Sequence, residues 1–290
     1  IVWKEAKEVM TGEYIATPRR YNIDGKIPHI LDLFNPSNVQ VSDKEAILNV
    51  VNSLKYKFGS LKESSKRLNK NYDNFKAMIR NGNSTKPSLE FFKKMCLMAE
   101  FPKDFIYTIK RIRFVDNAYR NPNEIKIPKI NEDLLYVLGL LNSDGYISKT
   151  CISFINKDET LHSLYSSKIY ESFGLKTKRY KDNSNIYNKT LFMLFKELES
   201  TLTILPDNLI IAWLKGFVDG DGWVALENKN LHRIGIATAK KEKAELVQFL
   251  LLRLSILSKI EKTKIPTAYG KIDGRIVKTL KPKHNVIIGG

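Results

Sequence analysis

The sequence predicts an α+β protein that is built mainly from one duplicated unit of helices and strands. Residues 136–147 and 213–224 align without a gap, because each is an apolar helix with an internal Gly, followed by Asp-Gly, an aromatic residue and a β-branched residue. Each segment precedes a strand-like stretch, 151–155 in one case and 234–238 in the other, and then an amphipathic helix. The pattern therefore predicts two halves with the same order of elements.

Two further segments precede this duplicated unit. Residues 1–40 contain short strand-like stretches between Gly and Pro residues, which predicts a β-rich segment. Residues 41–110 have helical periodicity, and two of the predicted helices are joined by a turn at 69–71, as in a helix-turn-helix unit. The second helix of such a unit enters the major groove of DNA, whereas a plain helical bundle is the alternative interpretation. The candidate DNA-binding side chains on this helix are Tyr72, Asn74, Lys76 and Arg80.

Charge and composition limit the class of protein. A formal net charge of +17 combined with 43% hydrophobic residues indicates a globular protein with a polyanionic partner, although the charge could also serve solubility alone. No run of about 18 apolar residues occurs, so we expect no membrane span and a cytoplasmic location. The first residues lack a signal-peptide pattern and suggest a fragment or a processed product. With two cysteines and four scattered histidines, a disulfide framework is excluded and a zinc site is disfavoured.

The stretch between the helical segment and the duplicated unit is basic and rich in Pro and Asn. Residues 110–130 are therefore predicted to be a linker. With these limits, the first repeat and its linker span residues 111–205, and the second repeat spans residues 206–290.

A Gly lies inside each of the two aligned apolar helices. Gly139 and Gly216 each cost about 1 kcal/mol relative to Ala in a helix interior, so a compensating reason is needed. Close approach of the two helices supplies that reason, since Gly has no side chain at the contact. Packing through these glycines would place the C-terminal ends of the helices side by side and bring Asp144 and Asp221 into one pocket.

Each of these aspartates ends its helix and is followed by a Gly. Gly145 and Gly222 are expected to leave the helices in the left-handed conformation that suits Gly. A carboxylate at a helix C-terminus is unfavourable by roughly 0.3–1 kcal/mol, and two such carboxylates repel each other. Divalent cations would neutralise the pair, and Mg²⁺ or Mn²⁺ with this ligand type fits phosphodiester hydrolysis. The alternative is that Asp-Gly after a helix is only a favourable turn.

Residues 137–145 and 214–222 resemble the nine-residue signature of the LAGLIDADG family, which here occurs twice with repeated flanks. The resemblance covers residues 125–290. It implies two pseudo-symmetric αββαββα repeats whose antiparallel strands form a saddle on the major groove of double-stranded DNA. It also implies a monomeric homing endonuclease, which cuts both DNA strands at a long target site and binds its metal through Asp144 and Asp221.

The resemblance also implies basic residues near the scissile phosphates, after the first long strand of each half. The basic and polar positions of the family correspond here to Asn156-Lys157 and Ala239-Lys240. Lys157 and Lys240 are predicted to be catalytic, although a plain surface lysine on a DNA-facing sheet would look the same. The other predicted DNA-binding residues are Lys176, Lys178, Arg179, Lys181, Arg233, Lys262, Lys264 and Arg275.

An intein origin is suggested by the start of the chain. Residues 3–19 resemble the last strands of an intein splicing domain before an endonuclease insertion. Intein-encoded members commonly carry a Lys where this chain has Thr203, so that catalytic lysine is missing. Splicing is not expected of the chain as it stands, because Val286 follows His284 and Asn285 and cannot act as a nucleophile.

Two other functions are compatible with the same motifs. A non-catalytic DNA-binding regulator can combine LAGLIDADG and helix-turn-helix units, but such regulators usually have altered acids, whereas Asp144 and Asp221 are present here. An intron RNA maturase keeps the fold and binds structured RNA.

Overall fold

The computed structural model describes residues 8, 10, 20–80, 85–115, 123–227, 231–263, 270–272, 275–277 and 282–288. The chain divides into two units, one formed by Asp24–Trp223 and the other by Ile1–Ile23 together with Val224–Gly290. Helices and antiparallel sheets occur together, so the predicted α+β class is confirmed. Within the described part of the chain, no helix is long and apolar enough to cross a membrane.

Residues 44–108 form the predicted helical region. Each of its four α-helices begins after a side chain that accepts a hydrogen bond from an N–H of the first turn, which stabilises a helix start. These caps are Asp43, Ser60, Asn71 and Ser88. The helices are α1 (Lys44–Phe58), α2 (Leu61–Arg67), α3 (Tyr72–Ile79) and α4 (Leu89–Met98), and a 3-10 helix follows at Lys103–Thr108. The two helices predicted to form a helix-turn-helix are α2 and α3.

The prediction of a linker at 110–130 is wrong in part. Strands β1 (Val39–Val41), β2 (Arg111–Phe114) and β3 (Ile125–Lys126) form a three-stranded antiparallel sheet in that order. Ile112 and Phe114 are buried, whereas Arg111 and Arg113, which alternate with them, are more exposed. This alternation of buried and exposed side chains is typical of a strand, although the stretch is basic in composition. Residues 116–122 of the expected linker lie outside the described residues.

The first repeat has the predicted αββαββα order. Its four strands form an antiparallel sheet with the order β4-β5-β7-β6. The elements are α5 (Glu132–Asp144), β4 (Gly145–Ile147), β5 (Ile152–Ile155), α6 (Glu159–Phe173), β6 (Lys178–Tyr180), β7 (Asn183–Ile186) and α7 (Lys189–Ser200).

The second repeat has the same sheet topology with one added hairpin, but its described residues contain no counterpart of α7, so the last helix of the predicted αββαββα order is not seen there. Its sheet has the order β8-β9-β13-β10, which matches that of the first repeat when β13 is equated with β7. The elements are α8 (Asp207–Asp221), β8 (Gly222–Glu227), β9 (Leu231–Thr238), α9 (Lys241–Arg253), β10 (Ser258–Lys262), β11 (Gly270–Ile272), β12 (Arg275–Val277) and β13 (His284–Ile288). The hairpin β11-β12 separates β10 from β13. The saddle expected from the two sheets remains a prediction.

Of the β-rich segment predicted for residues 1–40, residues 1–7, 9 and 11–19 lie outside the described residues, including the strand-like stretches at 2–3 and 14–16. From residue 20 to residue 40, the structure has a 3-10 helix at Ile30–Asp32 and the beginning of β1.

Candidate active site

Helices α5 and α8 pack closely against each other at their internal glycines. A Cβ atom built on Gly139 would lie 2.1 Å from the carbonyl oxygen of Trp213, and one built on Gly216 would lie 2.1 Å from the carbonyl oxygen of Tyr136. No real side chain tolerates such a distance to backbone, so the two backbones touch only because both positions are Gly. This contact explains why Gly occupies two helix interiors where it is intrinsically unfavourable.

The C-terminal ends of the two helices also lie together. A Cβ built on Gly220 would lie 2.1 Å from the Ser143 hydroxyl oxygen and 3.1 Å from Oδ2 of Asp144. The carboxylate of Asp144 therefore lies against the residue that directly precedes Asp221. Both aspartates end their helices and are partly exposed. The arrangement brings two carboxylates to neighbouring helix ends, where solvent or a ligand can reach them.

The expected left-handed exit from these helices is wrong. Gly145 has a φ of −109° and Gly222 a φ of −78°, and both are extended. Strands β4 and β8 begin directly at these residues, so each chain leaves its helix without a turn. Gly is needed here for space instead, since a Cβ would lie 2.2 Å from the carbonyl oxygen of Leu141 or 2.4 Å from that of Val218.

The family resemblance placed Asn156 near the scissile phosphates, but no contact with Asp144 was predicted for it. It directly follows strand β5, and its side-chain nitrogen donates a hydrogen bond of 2.7 Å to Oδ2 of Asp144. This bond orients one of the two carboxylates. The predicted catalytic residue Lys157 is its neighbour and is exposed, and Lys240 precedes helix α9 in the other unit. The signals in the sequence were that Asn156 follows a strand of the repeat and that the family resemblance places polar residues there.

A buried histidine supports Asn156 from behind. In the ring of His162 on α6, Nε2 lies 2.8 Å from the carbonyl oxygen of Asn156. The other ring nitrogen, Nδ1, lies 2.8 Å from the hydroxyl oxygen of Ser184. Arg179 lies 2.6 Å from the same Nε2 and donates a bond of 2.5 Å to Glu159. These contacts hold the end of β5 against helix α6.

Arg179 therefore differs from the other predicted DNA-binding residues of strand β6. It pairs in register with Ser184, whose side chain is buried, so its side chain lies on the helix-covered face of the sheet. Lys178 pairs with Asn185 and lies on the opposite face, in one row with Ser153 and Tyr146. We consequently regard Arg179 as a support for α6 and Lys178 as the better candidate for a DNA contact.

The structure places the remaining predicted DNA-binding residues as follows. Asn74 and Arg80 are exposed at helix α3, where the Lys76 ammonium lies 5.7 Å from the centre of the Tyr72 ring. Lys176 and Lys181 are exposed beside β6. Arg233 lies on β9, Lys262 on β10 and Arg275 on β12, whereas Lys264 lies outside the described residues.

A basic groove lies between helices α2 and α3. It has a volume of about 610 Å³, and the start of α3 forms part of its wall. Three exposed lysines line it, none of which was selected from the sequence. They are Lys62, Lys66 and Lys70.

The donor set at the helix ends fits a hard divalent cation. Within the described part of the chain, no three His, Cys, Asp or Glu side chains form a group that could enclose a metal ion. A pair of carboxylates suits Mg²⁺, which keeps several waters and commonly takes one or two protein carboxylates plus phosphate oxygens. The site thus lacks the closed cage of a structural metal.

Residues 208–289 match the sequence model of a family described as "LAGLIDADG-like domain". The match begins in α8 and includes the acidic end of that helix. This part of the chain is therefore similar to the LAGLIDADG-like domain family. The four-stranded sheet of the first repeat has the same topology as the four-stranded sheet of this region.

The chain is also similar to segments of several curated proteins. An A-type ATP synthase subunit of Methanopyrus kandleri is 25% identical over 88% of this chain and 25% of that protein. A probable translation initiation factor IF-2 of Methanocaldococcus jannaschii is 28% identical over 61% of this chain and 17% of that protein. The glutamine–fructose-6-phosphate aminotransferase of the same organism is 25% identical over 91% of this chain and 25% of that protein. The chain spans a quarter or less of the length of these relatives.

Solved LAGLIDADG structures are similar at a lower level. The crystal structure of I-DmoI in complex with DNA and Mn is 19% identical and covers 56% of this chain and 91% of that chain, with a TM-score of 0.40. The N-terminal LAGLIDADG domain of DUF199/WhiA is 11% identical and covers 56% of this chain and 76% of that chain, with a TM-score of 0.38.

Proposed function

We propose that this chain is a site-specific DNA endonuclease of the homing type, which hydrolyses both strands with divalent cations bound by Asp144 and Asp221. One observation carries the proposal: two glycine-packed helices deliver two carboxylates to adjacent ends, with Asp144 against the residue before Asp221. Two like charges at the negative ends of two helix dipoles are unfavourable unless a cation is bound. The family match to residues 208–289 supports the same interpretation.

The chain's own residues have separate tasks in this reaction. Asp144 and Asp221 hold the cation, and Asn156 keeps the Asp144 carboxylate oriented through its hydrogen bond. Lys157 and Lys240 contact phosphates or the developing negative charge. A bound Mg²⁺ or Mn²⁺ ion would lower the pKa of the attacking water and stabilise the negative charge on the leaving oxygen.

The relatives support an origin as a mobile element. An ATP synthase subunit, an initiation factor and an aminotransferase have different activities, yet a segment of each is similar to this chain. A segment shared by proteins without a common activity is typical of an inserted element, such as an intein that carries its own endonuclease. The activities of those proteins are therefore not assigned to this chain.

The function is tested by incubating the chain with a randomised DNA duplex library and Mg²⁺, followed by sequencing of the new ends. We expect ends from one long sequence motif, cut on both strands, and none when EDTA is present. Filter binding with duplex DNA and structured RNA accompanies the assay. Preference for RNA without DNA cleavage would indicate a maturase, and tight duplex binding without any cleavage would indicate a regulator; either result overturns the endonuclease.

Loss of the Asn156 side chain is expected to slow cleavage without weakening DNA binding. Asn156→Ala removes the hydrogen bond to Asp144 while both carboxylates remain, so we expect cleavage to fall about tenfold, as for other residues that orient a metal ligand. Cleavage is measured in single turnover with saturating Mg²⁺. Asn38→Ala changes an exposed Asn before β1 and serves as the matched control. Equal rates for both variants would show that Asn156 does not orient the acid.

The basic groove between α2 and α3 is expected to contact the phosphates of flanking DNA. Replacing Lys62, Lys66 and Lys70 by Ala should weaken binding and reduce the slope of log K against log salt by about 0.9 for each phosphate that is no longer neutralised. Fluorescence anisotropy at several salt concentrations measures the slope. The control replaces three exposed lysines outside the groove, namely Lys55, Lys93 and Lys103. The same slope in both triple variants would show that this groove does not bind DNA.

A further inference from the structure

Among the described residues, three side-chain hydrogen bonds join helices α5 and α8. One of them is exposed and lies at the N-terminal ends, where Asn208 donates to Glu132 at 3.1 Å. The other two lie nearer the C-terminal ends and run in opposite directions.

The hydroxyl of Tyr136 on α5 donates to Oδ2 of Asp219 on α8 at 2.7 Å. The indole Nε1–H of Trp213 on α8 donates to Oδ1 of Asn142 on α5 at 3.0 Å. Each helix thus supplies one aromatic donor and one polar acceptor.

These bonds are equivalent in the two repeats. When the motifs are aligned, Tyr136 corresponds to Trp213 and Asn142 corresponds to Asp219. Each acceptor lies two residues before the acidic end of its own helix. Helix packing alone would not require these hydrogen-bonding side chains, because apolar side chains fill such an interface equally well.

The backbone carbonyls of the two aromatic residues also lie against the glycines of the partner helix. The carbonyl oxygen of Trp213 meets Gly139, and the carbonyl oxygen of Tyr136 meets Gly216. Each aromatic residue therefore contacts the partner helix at two places. Its backbone carbonyl lies against the glycine, and its side chain donates a hydrogen bond farther along the helix. The second contact lies between the glycine crossing and the acid.

Both donors are buried, which makes their hydrogen bonds more consequential. Trp213 is 0% exposed and Tyr136 is 7% exposed. In such surroundings a hydrogen bond is stronger than in water, and an unpaired polar group costs more. Burial, together with the bond to Asp219, raises the pKa of Tyr136, so its hydroxyl keeps its proton and remains a donor at neutral pH.

The glycine contact by itself does not determine where the acids lie. Asp144 is five residues beyond Gly139, which corresponds to about 7.5 Å along the helix axis at a rise of about 1.5 Å per residue. A small rotation about the crossing point would therefore move the two carboxylates apart. A pair of bonds in opposite directions opposes both rotation and sliding of the helices.

We propose that Tyr136 and Trp213 are positioning residues, whose reciprocal hydrogen bonds to Asp219 and Asn142 fix the register of α5 against α8 and thereby the spacing of Asp144 and Asp221. This inference rests on the proposed role of the two acids as ligands of one cation site. It assigns a function to the polar residue that lies two positions before each acid. Neither of these polar residues acts on the cation directly.

The test uses the full chain and substitutions that remove or keep one bond. Tyr136→Phe and Asp219→Ala remove the first bond, whereas Asp219→Asn keeps an acceptor oxygen. Asn142→Ala removes the acceptor of the second bond, and it does so at a partly exposed residue rather than at the buried Trp213. Tyr56→Phe makes the matched change at a tyrosine of α1 that is 95% exposed.

Two readouts are measured on each variant: hydrogen exchange of the backbone amides in residues 141–144 and 218–221, and Mn²⁺ binding by electron paramagnetic resonance. Each bond-removing variant should accelerate exchange in these turns about tenfold, as expected for loss of one hydrogen bond of this kind. It should also weaken Mn²⁺ binding about tenfold, as changes behind a metal ligand do. Asp219→Asn and Tyr56→Phe should match the unsubstituted chain in both measurements.

The proposal is overturned if exchange in the two helix ends is the same in Tyr136→Phe as in Tyr56→Phe. It is also overturned if Asp219→Asn changes exchange as much as Asp219→Ala, since charge rather than the bond would then matter. Absence of Mn²⁺ binding in the unsubstituted chain would contradict the proposed function instead, and the exchange measurement would still decide the role of the two bonds.

Discussion

Replacing either helix-terminal aspartate by Asn is expected to abolish DNA cleavage while leaving DNA binding nearly unchanged. Asp144→Asn and Asp221→Asn each remove one of the two charges that bind the cation, but they keep the size and shape of the side chain. A loss of about a thousandfold in single-turnover rate corresponds to roughly 4 kcal/mol of transition-state stabilisation. The rate is measured with the duplex recovered from the library, at saturating Mg²⁺.

The control for this prediction is Asp104→Asn, which makes the same change at an exposed aspartate of the 3-10 helix at Lys103–Thr108. Its cleavage rate should equal that of the unsubstituted chain. Binding of all three variants is compared in Ca²⁺ by fluorescence anisotropy. Normal cleavage by both Asp144→Asn and Asp221→Asn would refute the metal site, however well the DNA binds.

Adding a single methyl group at the helix crossing is expected to destabilise the fold severely. In Gly139→Ala or Gly216→Ala, the new Cβ would lie 2.1 Å from a carbonyl oxygen of the partner helix, so the helices must separate. Overpacking of this kind costs about 3 kcal/mol, although Ala is intrinsically the better helix former. The free energy of unfolding is measured by urea titration.

Gly174→Ala separates this steric effect from the conformational cost of losing a Gly. Gly174 ends α6 with a φ of +69°, and a Cβ built there would meet nothing within 4 Å. Ala at this position should cost only about 1–2 kcal/mol, because the strain is confined to its own backbone. If the substitutions at the crossing cost no more than this control, the backbones of α5 and α8 are not in contact.

Part of the order of elements could be predicted because it depends on local patterns. Apolar periodicity predicted a helix, a following strand and an amphipathic helix in each repeat, whereas the full αββαββα order was implied by the family resemblance. The hairpin β11-β12 and the strands β2 and β3 were missed. These strands are short and contain basic residues, and β2 also pairs with β1, which lies far away in the sequence, so the local pattern carries little information about them.

The two acids of the candidate site could be predicted from the sequence, but the hydrogen bond that orients Asp144 could not. The acids were found because a duplicated Asp-Gly ends two Gly-bearing helices, which is visible in the sequence alone. Asn156 acquires its role only when β5 folds back beside the end of α5. The reason for Gly145 and Gly222 was also mistaken, because the direct passage from helix to strand is a property of three-dimensional packing rather than of turn preference.

The contact between Ser143 and Gly220 concerns how a chain with two repeats can evolve. These residues occupy the same position in the two motifs, and the hydroxyl of Ser143 fills the space that a Cβ on residue 220 would need. A homodimer of the first repeat, assembled through α5, would place Ser opposite Ser in that space. The asymmetric fit is available only because both copies are in one polypeptide, where each can mutate independently of the other, and this makes a return to a symmetric ancestor sterically unfavourable.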